Sequence, residues 1–458
     1  MAFQDMRAFL ARLREHGELE DVDGEIDLAD VGKALKQTSQ RQGPALMFNH
    51  NGTAFPLVAG LYSTRSKALL AFEATEDTIM RKVMDGLEAP IPPTMFEGAP
   101  PCQDEVLVGD DIDIRRFPIP VYSPHDGGAY ITPGMVVSKD PETGIPDIGH
   151  YRFMVIGPDV LTFDAQPAHR FGKHLAKYEK LGIKPKAALI IGLDPVLAYT
   201  GPLQVPDDTN DWALAGGLRG APVELTRTLT ADVEVPAHAE VVIEFEVNFS
   251  EMLPEGPLGE YTGYYDATGK TAPSAKITAI THRRRPIFQG LLTGKPVTEN
   301  HILKQIPYEV SFFRNLKRLF PTVEQVAFPA SGGVSFYVVI AMRPRFAGEA
   351  RQAILAAMSM NARPKWVIVV DADVDVHNSS EVEWALSFRV QPTRDVFTVE
   401  GTPGGPADPS HPLVDRRPPS ELTSSSVGID ATRPYGEHFP EVADVPGWRE
   451  FVIPRPPR

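Results

Sequence analysis

The chain has 458 residues, 42% of them hydrophobic and 23% charged, with a formal net charge of −15. That length exceeds one hydrophobic core and implies two or three domains, while the acidic balance excludes the basic face that nucleic acid or an anionic membrane requires. A single cysteine, Cys102, excludes an intrachain disulfide framework and reads as structural, and no apolar run approaches a membrane span.

At the N-terminus, Phe3, Met6, Phe9, Leu10 and Leu13 recur at helical spacing among charged residues, with Gly17 as a stop. The interspersed charges argue against a signal peptide, so a cytoplasmic location is expected. Short strands and another helix follow, then a Pro-rich connector from Ala89 to Pro101 that reads as a semi-rigid boundary. From about Asp110 to Lys295 the chain is strand-rich, with Ile243, Phe245 and Val247 alternating against Glu244 and Glu246, and again around 277–280. One helix, about 171–180, interrupts it before the apolar run 187–192. Many strands with few helices suggest a β-barrel core. Arg283, Arg284 and Arg285 read as a solvated turn.

Past Lys295 the pattern turns to α/β, with helices at 308–320 and 348–360 and strands at 334–342 and 366–370. Ser380 and Glu383 form the spacing of a capping box. After Pro392 the composition predicts a segment wrapping the surface or a partner. Asp371, Asp373 and Asp375 lack the Gly and Glu of a calcium loop, and Gly332-Gly333 and Gly404-Gly405 lack the Lys-Ser/Thr of a phosphate loop. The expected class is α+β, with an N-terminal α/β domain (1–109), a central barrel (110–305) and a C-terminal α/β domain (306–458).

Chemistry concentrates in two segments. Pro254 to Tyr265 reads Pro-Glu-Gly-Pro-Leu-Gly-Glu-Tyr-Thr-Gly-Tyr-Tyr, which sets Glu255 and Glu260 five residues apart on a backbone that Pro and Gly keep from being a helix. Upstream, the turn 140–144 precedes Asp147-Ile148-Gly149-His150-Tyr151-Arg152. A cation beside two carboxylates holds one ionised while burial raises the other, which can then donate a proton near neutral pH. The alternatives are an elaborate turn and a surface arginine.

These segments resemble the signatures of the UbiD-type decarboxylases, which use prenylated FMN. The resemblance implies a catalytic triad of Arg152, Glu255 and Glu260, with Glu260 as proton donor, on a central split β-barrel related to flavin-reductase folds. It also implies that Asp147, His169 and Asp211 bind a divalent metal, manganese first, that grips the flavin phosphate, with Arg152 and Arg170 also at the cofactor and potassium as a further ion. Asp147 and Asp211 stand where the family has Asn and Glu. Taken singly, each of the three residues reads as a capped or solvated polar group. The segments 389–395 and 428–432 look like C-terminal signatures, with Ser426 near the place of a common lysine.

The stretch 293–304 resembles the lining of the family's substrate pocket, where the polar His301 and Lys304 favour a substituted aromatic or heteroaromatic acid. Both could instead face solvent at a helix start. The implied reaction is non-oxidative, reversible decarboxylation, and the electron density left by departing CO2 needs a sink that no side chain offers. The alternatives are a flavin oxidoreductase on the same barrel and a non-catalytic subunit of a larger complex. A flavin prenyltransferase as cofactor supplier and a homodimer or homohexamer are further implications of the resemblance.

Overall fold

The computed structural model describes residues 3–453 apart from 168, 266–269, 406, 412–420, 444, 446 and 448–450. Its first helix, α1 (Met6–Glu15), begins where Asp5 accepts from the Ala8 N–H at 2.9 Å and ends before Gly17, whose φ of 69° suits glycine. Met6, Phe9, Leu10 and Leu13 are buried as their spacing predicts, against β1 (Leu19–Val22), β2 (Ala45–Phe48), β3 (Leu57–Ala59), α3 (Arg65–Ala71) and α4 (Glu76–Glu88), while α2 (Leu28–Gln40) sends Val31 and Leu35 into the core of the central domain.

The Pro-rich connector is not a free spacer. Its strand β4 (Thr94–Met95) joins the central domain, and the Ile91 N–H donates to the Ala213 carbonyl at 2.9 Å. Where α4 crosses α7 (Asp211–Arg219), a Cβ on Gly86 would stand 2.8 Å from the Gly217 oxygen, so only glycine permits the contact.

The central domain is a nine-stranded sheet curled into a half-barrel. In chain order its strands are β5 (Glu105–Leu107), β6 (Tyr130–Ile131), β7 (Met135–Lys139), β8 (Pro146–His150), β9 (Phe153–Val155), β10 (Val160–Phe163), β11 (Lys186–Ile191), β14 (Val241–Glu255) and β15 (Lys270–His282). Between them lie α5 (Arg170–Leu181), α6 (Pro195–Ala198) and α7, while β12 (Glu224–Arg227) and β13 (Glu234–Pro236) form a small sheet with β4.

Ile243, Phe245 and Val247 face inward, and Phe245 packs with Phe153 and Phe163. The outward face departs from simple alternation, because Glu244 is fully buried beneath 229–231 and accepts the Leu229 and Ala231 N–H groups at 2.8 and 3.0 Å. Arg283 is likewise no surface charge: it bonds Asp5 at 2.9 Å and the His238 carbonyl at 2.6 Å. Cys102 is buried, which pushes its thiol up to about 12. Two register shifts in β14 carry its end, Pro254–Glu255, opposite Lys270 and Thr271. That places the start of the acidic segment in a strand rather than in a loop.

After β16 (Phe288–Gln289) returns to β3, α8 runs unbroken from Glu299 to Leu319. It starts nine residues before the expected position because Pro307 reads as a breaker yet is held inside the helix by burial, and the expected domain boundary at 305 falls within it. A five-stranded sheet ordered β17-β18-β19-β21-β20 follows. It comprises β17 (Val323–Ala327), β18 (Tyr337–Met342), β19 (Trp366–Asp371), β20 (Val396–Pro403) and β21 (Thr423–Ala431), with α9 (Glu349–Met358), α10 (Ser379–Arg389) and α11 (Pro392–Asp395).

The cap of α10 is Asn378, which accepts from the Ser380 N–H at 3.1 Å, not the Ser380/Glu383 pair. The region after Pro392 supplies β20 and β21, and β21 lies between β19 and β20 rather than on the surface. Asp371 ends β19, Asp373 lies in the turn after it, and both bind Arg389, so this part of the aspartate run is a structural ion cluster.

Candidate active site

The junction of β8 and β9 presents Arg152 to the end of β14. Its Nε and Nη2 meet the two oxygens of Glu255 at 3.0 and 3.1 Å, a bidentate pair, while Nη1 bonds Glu260. Asp164 stands 3.4 Å from Nη2. The two glutamates differ in access: the Glu255 side chain is 1% exposed and that of Glu260 is 21%. Tyr130 is buried beside them, accepts the Gly256 N–H at 3.0 Å and donates to Glu255 at 3.4 Å. Asp126 accepts the Gly259 and Ser123 N–H groups at 3.0 and 2.8 Å, and burial raises its pKa. The stretch from Gly256 to Tyr265 is therefore tied down on several sides.

A second cluster sits on the other end of β8. Arg170, the first residue of α5, bonds Asp147 at 2.8 Å through Nε and bonds Asp211, at the start of α7, through Nη2. Asp211 also accepts the Ile148 N–H at 2.9 Å. Burial pushes Asp147 up to about 6 and Asp211 up to about 7, against the opposing pull of Arg170. One oxygen of Asp147, Oδ2, is buried without a hydrogen-bond partner.

Family sequence models for 3-octaprenyl-4-hydroxybenzoate carboxy-lyase match in chain order: its N-terminal domain at 10–87, its Rift-related domain at 94–296 and its C-terminal domain at 301–431. The UbiD-class enzyme HmfF from Pelotomaculum thermopropionicum, solved in complex with FMN, is 31% identical, with a TM-score of 0.89 over 98% of this chain and 99% of that one. This chain belongs to the UbiD family. Vanillic acid decarboxylase from Sedimentibacter hydroxybenzoicus in open form is 29% identical, with a TM-score of 0.88 over 98% and 97% of the two chains. Apo 3,4-dihydroxybenzoic acid decarboxylase (AroY) from Klebsiella pneumoniae is 25% identical, with a TM-score of 0.87 over 98% and 100%. The UbiD carboxy-lyase assignment and the split half-barrel agree with the sequence reading.

The structure brings Arg152, Glu255 and Glu260 of this UbiD chain into one bonded group, and it joins Asp147, Arg170 and Asp211 in another. His169 does not enter the second group: it is exposed at the N-cap of α5, 6.2 Å from the Tyr151 ring. Among the described residues no three His, Cys, Asp or Glu side chains converge closely enough to hold an ion. Two buried carboxylates around one guanidinium nevertheless leave an excess negative charge, and the unpartnered Asp147 oxygen adds a free donor. In chemistry, Asp147 and Asp211 fit a hard cation, and Arg170 fits an anionic phosphate.

His301 and Lys304 do not face solvent. His301 is 1% exposed, and both its nitrogens have partners within the chain. Its expected role at the substrate therefore meets a physical objection, since the ring has no hydrogen-bonding atom left to offer. Lys304 stands 4.4 and 4.7 Å from the Tyr261 and Tyr308 ring centres and has no carboxylate partner among the described residues. A cleft of about 1030 Å³ runs between α2, α8 and the C-terminal sheet. Thr262 is on its wall but none of the triad lines it. Sequence reading missed Tyr130, Asp126 and Asp164, whose one available signal was polarity within otherwise apolar or turn-forming stretches.

Proposed function

We propose that this chain is a non-oxidative, reversible decarboxylase of an aromatic or heteroaromatic acid that works with prenylated FMN. The observation that carries the proposal is Arg152 gripping a fully buried glutamate and a partly open one at the same time. Glu255, bonded to Nε and Nη2 together, fixes the plane of the guanidinium. Glu260, the accessible partner, holds the proton and delivers it to the carbon that loses CO2, and Arg152 orients the substrate carboxylate. The bound flavin supplies the electron sink for the departing carboxylate's electrons. Arg170 would meet its phosphate, with Asp147 and Asp211 as donors to a divalent metal, manganese first, which His169 would have to move to join, and potassium as a further ion.

Lys304 supports a substrate with a second polar or anionic substituent, because an ammonium held among aromatic rings without a carboxylate can accept one. HmfF has been solved with FMN and, in an evolved dimeric form, with prenylated FMN, which supports the cofactor assignment. A flavin prenyltransferase would supply it, and a cytoplasmic homodimer or homohexamer completes the proposal. No described helix is long and apolar enough to cross a membrane.

Anaerobic co-expression with a flavin prenyltransferase tests the reading. Prenylated FMN in the released ligand and CO2 from a panel of hydroxybenzoates and heteroaromatic acids is the expected result. A flavin-free chain, or a loaded one that releases no CO2 from any acid, would overturn it.

A further inference from the structure

Glu260 sits in a segment containing Gly256, Gly259 and Gly263, a composition that gives the backbone wide freedom. The residues on either side of it are nevertheless fixed. Before it, Asp126 accepts the Gly259 N–H. After it, His301 donates from Nε2 to the Tyr261 carbonyl at 2.7 Å, across 40 residues of sequence. The Nδ1 of the same ring accepts the Thr298 N–H at 3.1 Å, which starts α8 and leaves the proton on Nε2, the tautomer that the Tyr261 bond needs. The Tyr261 ring is held too, with Lys304 over one side at 4.4 Å and Phe336 of the C-terminal domain stacked at 6.5 Å and 12°.

We propose that His301 is a positioning residue that locks the backbone directly after the proton donor, so that the Glu260 carboxyl returns to one place in every turnover. The proposal rests on the reading of Glu260 as that donor. It gives His301 a role through Tyr261 and none in substrate binding.

Hydrogen–deuterium exchange of the chain without cofactor or substrate tests the lock independently of activity, read in the peptide spanning 254–265. His301→Asn keeps an acceptor for the Thr298 N–H and loses the donor to Tyr261, whereas His301→Gln carries an N–H at the Nε2 position. Exchange in that peptide should rise roughly tenfold in His301→Asn, as expected for one lost buried hydrogen bond, and stay near wild type in His301→Gln. Unchanged protection in His301→Asn, or an equal rise in both variants, would overturn the proposal, the first, when joined to a rise in His301→Gln, pointing to the helix cap alone.

In the loaded enzyme, kcat should fall on the order of 10- to 100-fold in His301→Asn at unchanged KM, with partial recovery in His301→Gln. A raised KM at constant kcat would instead assign His301 to the substrate. A wild-type chain inert toward every acid would remove the donor role and the decarboxylase reading together, while the exchange result would still decide whether His301 holds the loop.

Discussion

The molecule builds one charge pattern twice, two carboxylates around an arginine, at Glu255–Arg152–Glu260 and at Asp147–Arg170–Asp211. In the first, both acids come from one short segment and differ in access, 1% against 21%. In the second, they come from β8 and α7, both are buried, and both are pushed up by that burial. The same formal charges thus suit different ends. Under the proposed function, graded access lets one carboxyl exchange a proton with a substrate while the other stays fixed. Uniform burial makes an anchor whose surplus charge suits a cation and whose arginine suits a phosphate.

The sharpest way to separate the two clusters is Glu260→Gln. It should lower decarboxylation on the order of 10³-fold, the worth of a lost general acid, with the melting temperature almost unchanged, as read by CO2 release and calorimetry. Arg170→Met should do the reverse in kind: it strands two buried aspartates and should destabilise the fold by about 3 kcal/mol in denaturant titration. A stable Arg170→Met protein would break the comparison.

A smaller effect belongs to His301, which burial and the Lys304 charge lower from 6.5 to about 4. Between those values the unfolded chain takes up a proton that the folded chain refuses. Its contribution is therefore complete above about pH 6.5 and lost as pH falls toward 4, on the order of 3 kcal/mol at most. Unfolding free energies of wild type and His301→Asn, measured across that range, should differ in slope in this sense. The smallest expected change is Asp147→Asn. Removing one of two buried like charges that share Arg170 should stabilise the metal-free chain by about 1 kcal/mol at neutral pH, again by denaturant titration.

Much of this arrangement was legible in the chain itself. Glu255 and Glu260 stood out because Pro and Gly fix a backbone around charges that a core would reject, Arg152 was singled out by the resemblance of its segment to the family's signature, and α1 followed from its apolar spacing. Other features depend on distant partners. Glu244 alternates like a surface residue and is buried because 229–231 folds over it. The start of α8 was hidden by Pro307, and β21 by a Ser-rich composition that becomes a strand between two neighbours. The bond from His301 to Tyr261 spans 40 residues and involves a backbone carbonyl, for which no side-chain pattern exists. The joining of Asp147 to Asp211 required Arg170, a residue expected at the cofactor and found between the two acids.

The most direct test of the central claim is decarboxylation in D2O by wild type and Glu260→Gln, both loaded with prenylated FMN to equal occupancy. Wild type should give product with a single deuterium at the carbon that lost CO2, and the variant almost no product. Wild-type rates from Glu260→Gln would contradict Glu260 as the proton donor.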